Sequence, residues 1–142
     1  MVRGFLGLLT VAAICAGLSG CGWIRAGDRS PTKPSGFVLR GYVTAPVAGG
    51  GEPGSLCQVA TVAANEPVRV TDSSGHELGS GALGAGVLAI DNGATRCNFP
   101  FSISAVPGGH RTYSIAVGAR APLDFPATDL REDKPAVIPI GS

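Results

Sequence analysis

The sequence predicts an all-β chain: a small antiparallel β-sandwich of the immunoglobulin-like or transthyretin-like kind, with about seven strands, behind a cleaved signal helix and a flexible tether. Three observations carry this expectation. The 142 residues include 22 Gly and 11 Pro but a single Met, a composition poor in long helix formers and rich in turn formers. Apolar residues recur at alternate positions in several short stretches, which is the period of a half-buried strand. Turn signals separate those stretches at intervals of about ten residues, as in antiparallel sandwiches rather than alternating β and α units.

The first 20 residues read as a lipoprotein signal. Met1 to Arg3 is a short basic leader, and Phe5 to Gly17 is an apolar run containing Leu6, Leu8, Leu9, Val11 and Ile14. This is signal-peptide anatomy, since a spanning helix needs about 20 apolar residues and this run gives way to small ones first. It leads into Leu18-Ser19-Gly20-Cys21, which resembles the bacterial lipobox: an aliphatic residue, two small residues that fit a peptidase beside the scissile bond, then the thiol that is acylated. Cys15 follows Ala13-Ile14, which puts a branched residue beside the bond, so it counts as one more apolar residue of the run. Acyl chains on Cys21, at about 0.8 kcal/mol per buried methylene, would anchor the chain stably. The expected location is therefore the extracytoplasmic face of the cell membrane, with the membrane itself a partner through covalent lipid. No twin-arginine pair precedes the run, so the general secretion route is expected.

Residues 21–35 carry the lipidated cysteine and a polar, proline-containing stretch that should be an extended tether. Trp23, Ile24 and Arg25 suit the headgroup boundary beside the lipid. The folded domain then covers residues 36–142.

Within it, Phe37 to Thr44 reads as a first strand, and Ala45 to Ser55, with Gly49-Gly50-Gly51, as a loop that cannot pack. Val68 to Asp72 is a second strand, turned by Asp72-Ser73-Ser74-Gly75 into a return through Glu77 to Leu83. Gly86 to Ile90 is a short apolar run closed by Asp91-Asn92-Gly93, whose Asn-Gly is the strongest hairpin signal in the chain. Cys97, Phe99, Phe101, Ile103 and Ala105 alternate with Asn98, Pro100, Ser102 and Ser104, the clearest half-buried strand. Pro107-Gly108-Gly109 should turn it into a hairpin with Arg111 to Ala119, where Tyr113, Ile115 and Val117 alternate with polar or small residues. One helical turn is expected at Thr128 to Glu132. Ala136 to Ile140 closes the domain as an edge strand, because Pro139 cannot donate to a ladder.

With Cys15 removed and Cys21 acylated, Cys57 and Cys97 remain as an even pair outside the reducing cytoplasm, which reads as a disulfide. Zinc would need four ligands, and neither cysteine has a second ligand close in sequence. No cofactor and no metal site is expected. Gly79-Ser80-Gly81-Ala82-Leu83-Gly84 has the dinucleotide-binding spacing, but the fingerprint requires a strand before it and a helix after it, and the following residues are strand-like. The His76-Glu77 pair lacks a second histidine one helical turn on, and His110 lies in a Gly-rich turn. A serine triad would have to assemble from distant residues, since no nucleophile-elbow motif marks a serine. Asp124, Asp129, Glu132 and Asp133 form a loose acidic group without the closely spaced ligands of a calcium loop. The formal charge of +1 includes Arg3, so the mature balance is ten basic against ten acidic residues, and no electrostatic footprint for nucleic acid is present.

Cys57, Val68-Arg69-Val70-Thr71-Asp72 with Gly75, Gly81-Ala82-Leu83, Cys97-Asn98-Phe99-Pro100-Phe101 and Tyr113-Ser114-Ile115-Ala116-Val117-Gly118 with Arg120 occur in an order that resembles small actinobacterial, mycobacterial-type exported lipoproteins. These have a β-sandwich domain and no assigned activity. The likeness runs from Cys57 to the end and departs at Phe125-Pro126-Ala127-Thr128, where similar chains often carry a tyrosine-serine pair. It implies location and fold. The functional expectation is a non-enzymatic binding or structural module of the envelope that meets a protein or glycan. The alternative is a carrier of a small apolar or lipid ligand, for which a cavity between the sheets lined by Phe99, Phe101, Tyr113 and Ile115 would speak. A hydrolase ranks third.

Overall fold

A computed structural model of the chain describes residues 36–132 and 134–141. The signal peptide, Cys21, the tether and Asp133 lie outside the described residues. The described residues form an all-β domain of two sheets. Nine strands are present: β1 (Phe37–Pro46), β2 (Leu56–Cys57), β3 (Pro67–Thr71), β4 (Glu77–Ala82), β5 (Gly86–Asp91), β6 (Ala94–Val106), β7 (Thr112–Val117), β8 (Leu123–Pro126) and β9 (Ala136–Pro139). One short helix, α1 (Ala127–Arg131), stands between β8 and β9. The five-stranded sheet has the order β2-β5-β6-β1-β9 and the four-stranded sheet the order β4-β3-β7-β8.

Local chemistry accounts for the tight connections. Asn92 (φ 49°) and Gly93 (φ 81°) both adopt positive φ, as a two-residue primed turn demands, and Asp91 pairs with Ala94 across it. At the β3–β4 turn the Asp72 carboxylate accepts hydrogen bonds from the amides of Ser74 (2.8 Å) and His76 (3.0 Å). The His76 amide foremost holds this carboxyl below its ordinary range, opposed by burial and helped by the Ser74 amide. The returning backbone bond runs from the Gly75 amide to the Asp72 carbonyl at 3.0 Å.

The alternation expected in the aromatic strand is present on β6. Cys97, Phe99, Phe101 and Ile103 are buried, Pro100, Ser102 and Ser104 exposed. Tyr113, Ile115 and Val117 of β7, with Val68 and Val70 of β3, belong to the same buried cluster, so the apolar faces of both sheets supply one core. Gly79 and Gly81 lie against Ile103 across the sheets, where a Cβ would come within 2.9 and 3.1 Å of its side chain. The glycine run is thus a spacer that admits a bulky neighbour, on strand β4 rather than in a phosphate-binding turn.

Several expectations need correction. The strands number nine, because the two-residue β2 and the proline-ended β8 carry too few apolar positions to display a period. β6 and β7 do not form a hairpin: β6 pairs with β1 and β5, and β7 pairs with β3 and β8. Alternation identifies a strand's apolar face but not its partner, and two strands facing each other across a core display the same pattern as two in one sheet. The change of sheet begins at a bulge. Ala105 takes φ 57° and is exposed rather than inward-facing, Val106 is fully buried, and the β1 register shifts between Phe37 and Leu39, as an inserted residue requires. Finally, β9 is an edge strand as expected, but it runs parallel to β1. The ladder is otherwise antiparallel.

If this register is right, Phe101→Ala should cost about 3–5 kcal/mol, while Ser102→Ala, on the exposed side of the same strand, should stay within about 0.5 kcal/mol. Urea midpoints of the two variants check it, and equal shifts would refute the assignment of faces.

Candidate functional site

Cys57 and Cys97 form a disulfide, with Cα atoms 5.9 Å apart, and lie 40 positions apart in sequence. Cys57 lies on edge strand β2, opposite Gly86 of β5, and Cys97 on β6. The bridge therefore passes over β5, and it does so at a glycine. A Cβ on Gly86 would come 2.6 Å from the Cys97 Sγ, 2.7 Å from the Cys57 carbonyl oxygen and 2.9 Å from the Phe99 ring, so the absence of a side chain is what lets the sulfurs cross. In the chain-entropy account a bridge closing this loop stabilises the fold by about 4 kcal/mol.

Beside the bridge is an open groove of about 490 Å³, within the size range of small-molecule sites. Leu56 of β2, Val59, Val62 and Ala64 of the segment after it, Ala85 before β5 and Phe99 of β6 line it. Cys57 and Gly86 are also on its surface, no lining residue is charged, and Gln58 supplies its one polar side chain. Val62 and Phe99 are buried, whereas Leu56, Ala64 and Ala85 are exposed. One wall and the floor are thus fixed by the core, and the rim is open to solvent.

The segment between β2 and β3 forms the other wall, and it is pinned at its far end by Glu66 and Arg120. The Arg120 Nη1 stands 2.5 Å from the Glu66 Oε2. The same guanidinium donates to the Thr61 carbonyl through Nη2 and to the Val117 carbonyl through Nη1 at 3.3 Å. Glu66 in turn accepts from the Ala63 amide at 2.9 Å, and backbone bonds from Asn65 to Leu83 (2.8 Å) and from Leu83 to Glu66 (2.9 Å) tie the segment to the end of β4. The hydrogen bond from Arg120 foremost, helped by the Ala63 amide and opposed by burial, holds the Glu66 carboxyl below its ordinary value of 4.5. The wall is therefore closed by a covalent bond at Cys57 and by a charge-assisted clasp at Glu66.

The four residues named for an inter-sheet cavity do not line one space: Phe101 and Tyr113 are packed in the core, Phe99 reaches the groove, and Ile115 lines a separate concavity of about 230 Å³ with Leu123 and Ile138. The Tyr113 hydroxyl is satisfied by the Pro107 carbonyl at 2.9 Å, and its ring meets Phe37 edge-on at 5.4 Å. Of the polar candidates, His76 lies 3.6 Å from Asp72, His110 packs edge-on against Tyr113 at 5.6 Å, and the Ser114 hydroxyl donates to Asp124. Glu132 pairs with Lys134 at 3.0 Å. Among the described residues no group of three or more His, Cys, Asp or Glu is placed to hold a metal ion, and no helix is long and apolar enough to cross a membrane. The groove and the Glu66–Arg120 clasp escaped sequence reading. The one available signal was Arg120, part of the recurring order of motifs but without a visible partner 54 residues away. No protein-family model, no curated protein and no solved structure matches the chain.

The depressed Glu66 pKa fixes the sign of a pH effect. A carboxyl with a lowered folded-state pKa adds stability above its unfolded pKa, and that stability is lost as pH falls through the folded value. Near neutral pH the parent chain should exceed Glu66→Gln by about 1 kcal/mol, allowing for partial exposure of the pair, and the difference should vanish in acid below the ordinary carboxylate range. Denaturant titrations of both across that range test it, and a difference that persists undiminished into acid would contradict the clasp.

Proposed function

We propose that this chain is an exported lipoprotein, cut before Cys21 and held by lipid on Cys21 at the extracytoplasmic face of the cell membrane, whose β-domain is a non-enzymatic binding module. The groove beside the disulfide is its binding site. The observation that carries the reading is the groove itself: an open concavity of about 490 Å³ whose lining side chains are uncharged and, Gln58 apart, apolar, with main-chain polar groups also on its surface. A stable domain gains nothing from leaving such a surface uncovered, and concavities of this kind are where ligands bind. The Cys57–Cys97 bridge supports export, because disulfides persist in oxidising compartments. The resemblance to small actinobacterial exported lipoproteins implies the same location.

On the same reading the two sheets form a β-sandwich of the immunoglobulin-like or transthyretin-like kind. Their shared core supports this, as does the buried Tyr113, whose hydroxyl reaches back to a main-chain carbonyl six residues upstream in the manner of the tyrosine corner of such domains.

Two arms test the proposal in the native host. Cys21→Ala should block processing by the lipoprotein peptidase and move the protein out of the detergent phase, whereas its retention there would remove the lipid anchor from the account. A photo-crosslinking residue at Ala85 on the groove rim should capture a defined adduct that the same residue at Gly75, in the β3–β4 turn, does not. Equal capture at both positions would remove the groove.

A further inference from the structure

We propose that Asn92 is a site of spontaneous covalent modification: its side-chain amide cyclises onto the main-chain nitrogen of Gly93, and hydrolysis leaves aspartate or isoaspartate at the tip of the β5–β6 hairpin. The reaction draws only on base and water and is independent of the groove.

The chain holds three asparagines, Asn65, Asn92 and Asn98, and the structure separates them by the state of the nitrogen that follows each. Cyclisation needs that nitrogen free of a hydrogen bond, deprotonated and able to close on the side-chain carbon. After Asn65 it belongs to Glu66, whose amide donates to the Ala63 carbonyl at 3.4 Å and whose carboxylate is held by Arg120. After Asn98 it belongs to Phe99, a buried residue opposite Val43 in the ladder of β6 with β1. After Asn92 it belongs to Gly93, in the two-residue gap between the paired Asp91 and Ala94. Among the described residues no hydrogen bond engages the Gly93 amide or the Asn92 side chain. Both residues are exposed, and a Cβ built on Gly93 would meet nothing within 4 Å. No neighbouring side chain covers the reacting atoms, and glycine brings no β-carbon of its own beside the attack.

Base removes the Gly93 amide proton, and the nitrogen attacks Asn92 Cγ. The N–Cγ bond forms, the Cγ–Nδ2 bond breaks and ammonia leaves, which closes a five-membered succinimide. Water then adds to one of the two ring carbonyls. Opening at Cγ gives aspartate, whereas opening at the main-chain carbonyl gives isoaspartate, with the backbone routed through the side chain and one atom longer. Either product sets a new carboxylate beside Asp91.

Asn92 sits at φ 49°, in the left-handed region of a primed turn, and the attack rotates the Asn92–Gly93 peptide out of that turn. The rate therefore follows opening of the hairpin tip, where only the Asp91–Ala94 and Ile90–Thr95 pairs give way. Local openings of this kind cost far less than global unfolding. The extra backbone atom of isoaspartate does not fit a two-residue turn, so the modified tip stays frayed.

The test ages the full chain, with its disulfide formed, in mildly alkaline and in mildly acidic buffer. Peptide mapping by mass spectrometry should find the amide-to-acid mass gain at Asn92 and not at Asn65 or Asn98, with isoaspartate exceeding aspartate and the rate rising with pH. A synthetic peptide of residues 89–96, whose tip is always open, should react roughly tenfold faster or more. In hydrogen exchange the isoaspartyl form should lose protection at Asp91 and Ala94, whereas Asn92→Asp, with the same charge on a backbone of normal length, should keep it. No conversion at Asn92 in alkaline buffer, or equal conversion at all three asparagines, overturns the proposal. So does aspartate without isoaspartate, the mark of direct side-chain hydrolysis. A folded chain that reacts as fast as the peptide removes the control by the turn.

Discussion

The covalent bond between Cys57 and Cys97 joins a two-residue edge strand to the middle strand of the five-stranded sheet, and the geometry of the whole β2 side follows from it. A strand of two residues cannot hold a position by its own ladder. Once tethered it can, and backbone bonds just before it continue the pairing with β5: the Leu88 amide donates to the Ser55 carbonyl at 2.8 Å and the Gly54 amide to the Leu88 carbonyl at 2.8 Å. The chain leaves this anchor, runs along the groove and reaches the second sheet at Glu66. There the Glu66–Arg120 ion pair, with hydrogen bonds to Thr61, Ala63, Leu83 and Val117 around it, receives the segment. The groove is what lies between a covalent fixture and an electrostatic one, with the buried Val62 pressed into the core between them.

Glycine is the condition for this arrangement at two places. Gly86 leaves room for the sulfurs, and Gly41 faces Ala136 and the Phe101 ring so closely that a Cβ would overlap both. The second contact lets β9 lie parallel beside β1 while Phe101 fills the core beneath them. Three of the four sheet edges carry features that discourage further pairing. Pro139 lies on β9, Pro126 ends β8, and β2 is short, which are the usual devices against edge-to-edge association.

What the sequence disclosed and what it withheld divide along a physical line. Features set by residues close in the chain were legible: the Asn92-Gly93 turn, the Asp72 turn, the inward faces of β6 and β7, and the edge position forced by Pro139; the pairing of Cys57 with Cys97, 40 positions apart, was legible from cysteine count instead. Features set by which element meets which were not. The period of Tyr113, Ile115 and Val117 is the same whether β7 lies beside β6 or across the core from it, and only the bulge at Ala105, invisible in a run of small residues, sends it across. The parallel sense of β9 depends on α1, whose buried Leu130 docks it before the chain returns. The clasp joins Glu66 to Arg120 over a separation that no local pattern marks, so the groove it shapes could not be read in advance.

The central claim is that the Cys57–Cys97 bond holds the groove wall against a core that stands without it. Amide hydrogen exchange on the oxidised and the reduced chain tests this most directly. Reduction should accelerate exchange at Gly54, Ala63, Asn65 and Leu88, whose amides are tied to the wall or to the strand that carries it, while the paired amides of β1 and β6 keep their protection. Unchanged exchange at those four positions after reduction, or equal loss of protection across β1 and β6, would contradict it.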